Sequence, residues 1–581
     1  MKRTGALFIA LTSARVGAAP CESWQIPDAN GYCSAYEVNV GTPPACEVTV
    51  RPSDPDWSAI EGQPSARVIC LECGDHYGKG RLWITSSGTA LAPRWLRYTC
   101  AGDDGADPAR QQPSARARLQ AIVFGQASHW VLHRLTFDAQ GDNINSAITF
   151  GGWGEPDGGN ANLVFDRLLF QDAVAHFIQV RSGNPDNTLQ NSVVRRSVAN
   201  TFFEAQCIEV GEGPRFHVVN NEIYDCQKGV SNGNGPYSHP GLVVDNNDIY
   251  ASLDVYTDCS GNYNGVGPCA ATEDLISIKA GGDASDAMLI VHNRLWGART
   301  GDPNVGLALN GDGSAMSVGM SGNPDAPEIV GHQGGDWVSF RDNIAWDCGI
   351  GLGAGFPRNE HLSVVGNLFW DMAESTRDPE APATWNTYGG FDTTELYLNT
   401  IVEGDNWLQA SWGPSDDDVR CNVIIDALAL DSLAGLGPGT MLDHNVFYGT
   451  SADTTESPGV NLPLDLRPWS AAAVMSVGNH VKDGTSGTIL RCTQAGTTGS
   501  VRPIAPTLGA SVTDGTITWQ AIRGPYCFWR KLRTAPEQVC IPYAVPHESA
   551  PEYGFCRAEN MGGVPLGSRP GIGINDEVAP W

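Results

Sequence analysis

The feature that most narrows the fold is a phrase repeated nine times: an asparagine, then a short β-branched or aromatic run ending on an acidic or small residue. It reads Asn221-Glu-Ile-Tyr-Asp, Asn293-Arg-Leu-Trp-Gly and Asn367-Leu-Phe-Trp-Asp, with further copies starting at Asn191, Asn247, Asn343, Asn399, Asn422 and Asn445. Successive asparagines lie 30, 26, 46, 50, 24, 32, 23 and 23 residues apart. A period of that size, filled by short strands without helical periodicity, marks a solenoid in which each coil adds one rung. Each coil leaves an apolar face that only its neighbours can bury, so the 581 residues need not divide into several globular domains. Asn suits a sharp corner because it tolerates left-handed backbone, and its amide can bond the equivalent amide one coil along. The expectation is an all-β, right-handed parallel β-helix over residues 106–465, with the asparagines at a left-handed corner and in an internal ladder.

A second column runs ahead of most of these asparagines: Ile178-Gln-Val-Arg, Ile208-Glu-Val-Gly, Val230-Ser-Asn-Gly, Ile276-Ser-Ile-Lys and Leu307-Ala-Leu-Asn. Side chains alternate across a strand, so if the first and third residues enter the core, the second and fourth face outward. One outward file then reads Gln179, Glu209, Ser231, Ser277, Ala308; its neighbour reads Arg181, Gly211, a residue near 233, Lys279, Asn310. Two long insertions, 251–272 and 312–336, rise beside this face, and long loops on a regular solenoid usually build its binding surface.

Charge limits the partners. With 36 Lys and Arg against 65 Asp and Glu, the net charge is −29 and the pI about 4.6. Such a surface repels phosphate backbones and anionic lipid, which argues against nucleic acid and membrane surfaces. No stretch reaches the roughly 20 apolar residues that span a bilayer, so no membrane insertion is expected. The 68 glycines and 37 prolines suit a turn-dense β protein.

The sixteen cysteines gather toward the ends, Cys21, Cys33, Cys46, Cys70, Cys73 and Cys100 early and Cys492, Cys527, Cys540 and Cys556 late, which reads as disulfides made in an oxidising compartment. Cys70 and Cys73 with His76 could be half a zinc site, but no second such pair exists, and disulfides are the better reading. Residues 1–18, with a basic start, an apolar run and small residues near Ala18, fit a secretory signal peptide. Residues 19–105 lack the asparagine phrase and read as a disulfide-rich cap with the first coils. Residues 466–525 read as a small all-β module, and 526–581 as a cysteine-containing tail.

Several stretches carry resemblances. Val68-Ile-Cys-Leu through Leu82-Trp-Ile-Thr, and Ser128-His-Trp-Val-Leu-His, resemble the entry coils of secreted bacterial β-helix proteins of the pectate lyase-like superfold, a likeness covering about residues 60–450. Residues 470–525 are similar to a small module appended to phage tail proteins and some secreted proteins, which leaves a virion tail as an alternative location and a homo-oligomer contact as a role. The phrase Thr272-Glu-Asp-Leu-Ile-Ser-Ile-Lys279 resembles the acidic-then-lysine strand of polysaccharide lyases of the chondroitinase B and alginate lyase type. That resemblance implies Ca2+ on Glu273 or Asp274, which neutralises a uronate carboxylate and acidifies its C5 proton, and Lys279 as the base, aided by Arg181. Gln179, Ser277, Asn310 and Arg294 are the implied sugar contacts. The position stacked on Lys279 is read as Asn310, where those lyases carry a second cation.

A rival chemistry uses Glu209 and Glu212 with Asp312, since paired carboxylates roughly 5–9 Å apart hydrolyse glycosidic bonds. A third reading is a non-catalytic adhesin or virion fibre. Gly349, Gly351, Gly353 and Gly355 mimic a dinucleotide loop only in letters, because they continue a strand and open no helix. His217, His239, His292 and His361 are scattered over different coils, without ligand spacing. The expected function is thus an extracellular protein acting on an acidic, uronate-containing polysaccharide.

Overall fold

The computed structural model describes residues 21–552 except 101–115, 139–145, 151–158, 198–205, 233–239, 252–273, 299–312, 319–336, 373–382, 411–417, 428–440, 450–461 and other stretches of six residues or fewer. The chain winds into three long parallel sheets, two of 14 strands and one of 11. Most turns of the chain give one short strand to each sheet. In one turn these are Leu163–Asp166, Leu169–Ala173 and His176–Val180, each paired in parallel with strands before and after it. The chain is a parallel β-helix, as the repeat predicts. Its interior is one apolar cluster from Val48 to Phe447, because the alternation within each strand sends one set of aliphatic and aromatic side chains to the axis.

Asparagine has a narrower role than expected. Eight of the nine, Asn221, Asn247, Asn293, Asn343, Asn367, Asn399, Asn422 and Asn445, form a continuous buried ladder. At each step the backbone N–H and the side-chain Nδ2 both donate to Oδ1 of the next asparagine, at 2.9–3.0 Å. Nδ2 also donates backward to a main-chain carbonyl, as Asn343 does to Ile290 at 2.8 Å. The left-handed residue is the one before the ladder: Asn220, Asn246, His292, Asp342, Gly366, Leu398, Cys421 and His444 all have positive φ. The two jobs assigned to one asparagine are therefore split between neighbours. Asn191 is the exception, because it takes the left-handed place itself (φ 53). Ser192 fills the ladder column there, and its N–H donates to Asn221 Oδ1 at 2.9 Å.

In the N-terminal region Val48–Val50 pairs with Val68–Glu72, and that strand with Arg94–Thr99, so the first coils of the solenoid lie there. Before it, residues 32–38 run along the outside of the coils. Tyr32 meets His292 at 3.0 Å, Ser34 bonds Asp245, and the Val38 N–H donates to Gln190 Oε1 at 2.8 Å. Cys21 pairs with Cys33, Cys46 with Cys70, Cys73 with Cys100, Cys207 with Cys226 and Cys527 with Cys540; Cys421 is also disulfide-bonded. Cys70 and Cys73 thus have different disulfide partners, and His76 Nε2 is engaged by the Glu72 carbonyl at 2.8 Å. No helix among the described residues is long and apolar enough to cross a membrane.

At the other end, the strand Ile517–Arg530 runs through residue 525, the boundary drawn from the sequence, and pairs antiparallel with Glu537–Pro546. This hairpin lies against the solenoid. Tyr224, Tyr250, Trp296 and Trp346 stack on one another along the outside of a 14-stranded sheet, with centroids 4.2–4.9 Å apart, and Phe528 meets Trp346 edge-on at 5.4 Å. An aromatic strip of that length would otherwise be a large exposed apolar patch.

Candidate functional site

The 11-stranded sheet carries the polar face. Ile178, Ile208, Val230, Ile276 and Met316 stack in register and are fully buried. Their next residues, Gln179, Glu209, Ser231, Ser277 and Ser317, form the outward file. The file agrees with the sequence reading until its last member. The strand after Asp274–Ile278 is Ser314–Val318, so Ser317 and not Ala308 follows Ser277, and the stacked-cation argument for Asn310 falls with that register. Met316 and Val318 supply the inward pair that stacks on Ile276 and Ile278.

A second polar file lies three residues before the first, where each strand enters the sheet: His176, Gln206, Lys228, Asp274, Ser314. Side-chain bonds join it to the first. Gln179 Nε2 donates to Glu209 Oε2 at 2.6 Å, His176 Nε2 lies 3.7 Å from the same oxygen, and the Ser231 hydroxyl donates to Gln206 Oε1. Ser317 Oγ donates to Ser277 Oγ at 3.3 Å, and both serines hydrogen-bond the Asp274 carboxylate.

Asp274 is the electrostatic centre. Burial pushes its carboxyl above the usual range, and Lys228, the two serine hydroxyls and Lys279 act in the opposite direction. Lys228 is its register partner on the preceding strand and is fully buried, while Lys279 follows the Asp274 strand and is only 8% exposed. Asn232 positions this lysine by accepting from the main-chain N–H groups of Lys279 and Ala280. Lys279 is not the solvated side chain that strand parity implies; it belongs to an enclosed cluster. Among the described residues, two buried lysines thus gather about one buried carboxyl in a protein of net charge −29.

The face thus brings together Gln179, Glu209, Ser277, Asp274 and Lys279. Arg294 lies elsewhere, on a 14-stranded sheet, buried and bonded to Asp248 and to Asn246 at 3.1 Å, so it makes no sugar contact on this face. Arg181, Glu273, Asn310, Glu212, Asp312 and the tips of both insertions lie outside the described residues. Sequence reasoning missed Lys228, His176 and Gln206. Their signal is a polar residue two places before each inward aliphatic of the column, with an apolar residue between.

Among the described residues, the groups that act on the Asp274 carboxyl are Lys228, Lys279 and the hydroxyls of Ser277 and Ser317; Glu273, the other expected calcium ligand, lies outside the described residues. Among the described residues no group of three or more His, Cys, Asp or Glu could hold a metal ion.

No protein-family model matches the chain, and no curated protein matches it in sequence. Its shape is similar to solved structures. The PL6 family alginate lyase AlyGC shares 12% identity over 74% of this chain, with a TM-score of 0.44; the match spans 53% of that longer protein. A mannuronic acid specific polysaccharide family 6 lyase from human gut microbiota shares 11% identity over 72% of this chain and 90% of its own, with a TM-score of 0.46. The A-module of an Azotobacter vinelandii mannuronan C-5 epimerase shares 11% over 71% and 94%, with a TM-score of 0.40. This likeness is one of fold.

Proposed function

We propose that this protein is an extracellular enzyme that cleaves an acidic, uronate-containing polysaccharide by β-elimination at the face around Asp274. The observation that carries the reading is the stacking of Lys228 on Asp274 with Lys279 following the same strand, which gathers two buried lysines on one face of a protein with net charge −29. An anionic sugar repelled by the rest of the surface is drawn there. In this reading Lys279, as the neutral amine, takes the C5 proton; the C4–C5 double bond forms as the C4–O4 bond breaks, and the departing oxygen takes a proton back from the Lys279 ammonium or from water, while Gln179 and Glu209 contact the sugar at the more open end of the face. Trp83, 45% exposed and further along the same outward file, offers an indole face on which a sugar ring can stack. The disulfides support an oxidising, extracellular location.

A specific observation also favours hydrolysis. The Asp274 carboxyl is pushed up by burial, as a general acid requires, and Glu209 is a second carboxylate on the same face. Turnover of Lys279→Met and Glu209→Gln on a panel of uronate polymers separates the two. The lyase reading expects Lys279→Met to be the crippled variant. Full activity in Lys279→Met with none in Glu209→Gln would replace it with the hydrolase.

A further inference from the structure

We propose that Arg81 and Trp83 form a second sugar-binding site at the N-terminal end of the polar face, so that an anionic polysaccharide lies lengthwise along the 11-stranded sheet. This deepens the reading of that face as an acidic-polysaccharide site and rests on it, but its test reads binding and needs no cleavage.

The strand Arg81–Ile84 is the first rung of that sheet. Its alternation is strict: Leu82 and Ile84 are buried, while Arg81, Trp83 and the following Thr85 are exposed. A guanidinium, an indole and a hydroxyl therefore stand in a row on the outward side, about 7 Å from one to the next. Trp83 and Trp529 are the exposed tryptophans among the described residues. Neither the Arg81 nor the Trp83 side chain has a hydrogen bond, ion pair or ring contact with a described residue.

Such freedom is uncommon for a cation in this chain. Arg51, Arg118, Arg196, Arg215 and Arg502 are each paired with a carboxylate. Arg81 stands instead beside Ala121, and Trp83 beside Val123, both buried and uncharged. Residues 67–100 carry five Lys and Arg against two Asp and Glu, in a chain of net charge −29. An anion repelled by the rest of the surface meets positive charge at this end. The site is also held in place. Trp57 Nε1 donates to the Gly80 carbonyl at 3.1 Å just before Arg81, and all four strand residues pair with Ala121–Phe124. A uronate ring offers what the row takes: a carboxylate for the planar fork of Arg81, an apolar C–H face for the indole, and hydroxyls for Thr85.

Six strand steps separate Arg81–Ile84 from Asp274–Ile278, about 29 Å at the spacing of parallel strands. Between them the outward file reads Val123, Thr149, Gln179, Glu209 and Ser231. Its one carboxylate, Glu209, is engaged by the Gln179 amide at 2.6 Å. A single extended chain along this file touches both ends.

The experiment is affinity electrophoresis of the full-length protein through gels containing polymannuronate, polygalacturonate or a neutral glucan, with melting temperatures to check folding. The wild type is expected to be retarded by at least one uronate polymer and not by the neutral glucan. Trp83→Ala and Arg81→Gln should each weaken binding about threefold, and together about tenfold, the range for exposed aromatic and ionic contacts. Both side chains are exposed, so the melting temperature should hold. Trp529→Ala, at the other exposed tryptophan, should leave binding as it is. Added salt should weaken the wild type more than Arg81→Gln. Oligomers long enough to span about 29 Å should bind the wild type at least about tenfold tighter than trisaccharides, an advantage that the double variant loses. No retardation of the wild type by either uronate polymer, unchanged binding in the double variant, or an equal loss in Trp529→Ala would overturn the proposal. A polymer bound through Arg81 and Trp83 but never cleaved leaves this inference standing while the lyase reading fails. A double variant that binds like the wild type and still releases unsaturated ends does the reverse.

Discussion

Two stacks of buried polar side chains run along this solenoid, and they are built on opposite principles. In the asparagine ladder every rung from Asn221 to Asn445 has the same identity, none carries a charge, and each amide before Asn445 bonds both onward to the next asparagine and back to a carbonyl. In the second polar file of the 11-stranded sheet no two successive rungs match: histidine, glutamine, lysine, aspartate and serine follow one another. Its central carboxyl is held above its ordinary range by burial. A ladder of identical neutral groups can be satisfied by its own repetition, so it stabilises the fold and asks nothing of solvent. A stack of unlike charged groups stays enclosed only if it serves some other end, and perturbed ionisable groups gathered in one place are the mark of a site.

This contrast can be broken in four ways. The largest effect is expected at Lys279. Lys279→Met keeps the aliphatic stem and should lower turnover by a factor of about 100 or more, the range for losing a general base, while the melting temperature moves little. A large loss of stability without loss of turnover would move Lys279 from the chemical to the structural stack. Asn343→Ala should do the reverse. It strips the acceptor from Asn293 and the donor from Ile290, and several unmet buried groups should cost about 3 kcal/mol of stability in denaturant unfolding. Turnover per folded molecule should not change.

Acid gives the third test, through a residue in neither stack. His480 is buried against Tyr448, where the C-terminal sheet meets the last coils, and its pKa is lowered to about 4 by burial and by Arg491. Because the folded value lies below the unfolded one, the stability it permits is complete above about pH 6.5. That stability is lost as pH falls toward 4, by up to about 3 kcal/mol. His480→Gln should flatten the slope of stability against pH in that window, as followed by thermal unfolding. An unchanged slope would mean that other groups dominate the acid transition. The smallest effect belongs to Ser277→Ala. Losing one hydroxyl bond should cost no more than about 1 kcal/mol and raise the Asp274 pKa further, shifting the acid limb of the activity profile upward in pH. A downward shift would contradict the assignment of Asp274 to the site.

The same contrast explains what could be read from the sequence. The ladder needs one residue type at one place in every coil, so its repetition was visible despite coil lengths from 23 to 50 residues. Its left-handed neighbours were not, because Asn220, His292, Leu398 and Cys421 share a conformation and no chemistry. On the polar face, parity correctly turned Gln179 and Glu209 outward, while Ser277, turned away from the core, is nonetheless buried. It failed after Ile278, where the interval between ladder asparagines is 50 residues and the strand that stacks next is Ser314–Val318. Lys228 escaped notice because it sits where the strand bends into the sheet, outside strict alternation. The docking of the C-terminal hairpin was foreshadowed only by the outward row Tyr224, Tyr250, Trp296, Trp346, an apolar strip that required a cover.

The most direct measurement is the chemical nature of the ends made when the wild-type protein is incubated with uronate polymers. β-Elimination at the Lys279 face predicts a new C4–C5 double bond at each non-reducing end, read by ultraviolet absorbance and mass spectrometry, and its loss in Lys279→Met. Saturated ends one water heavier, or a polymer bound and left intact, would contradict the account.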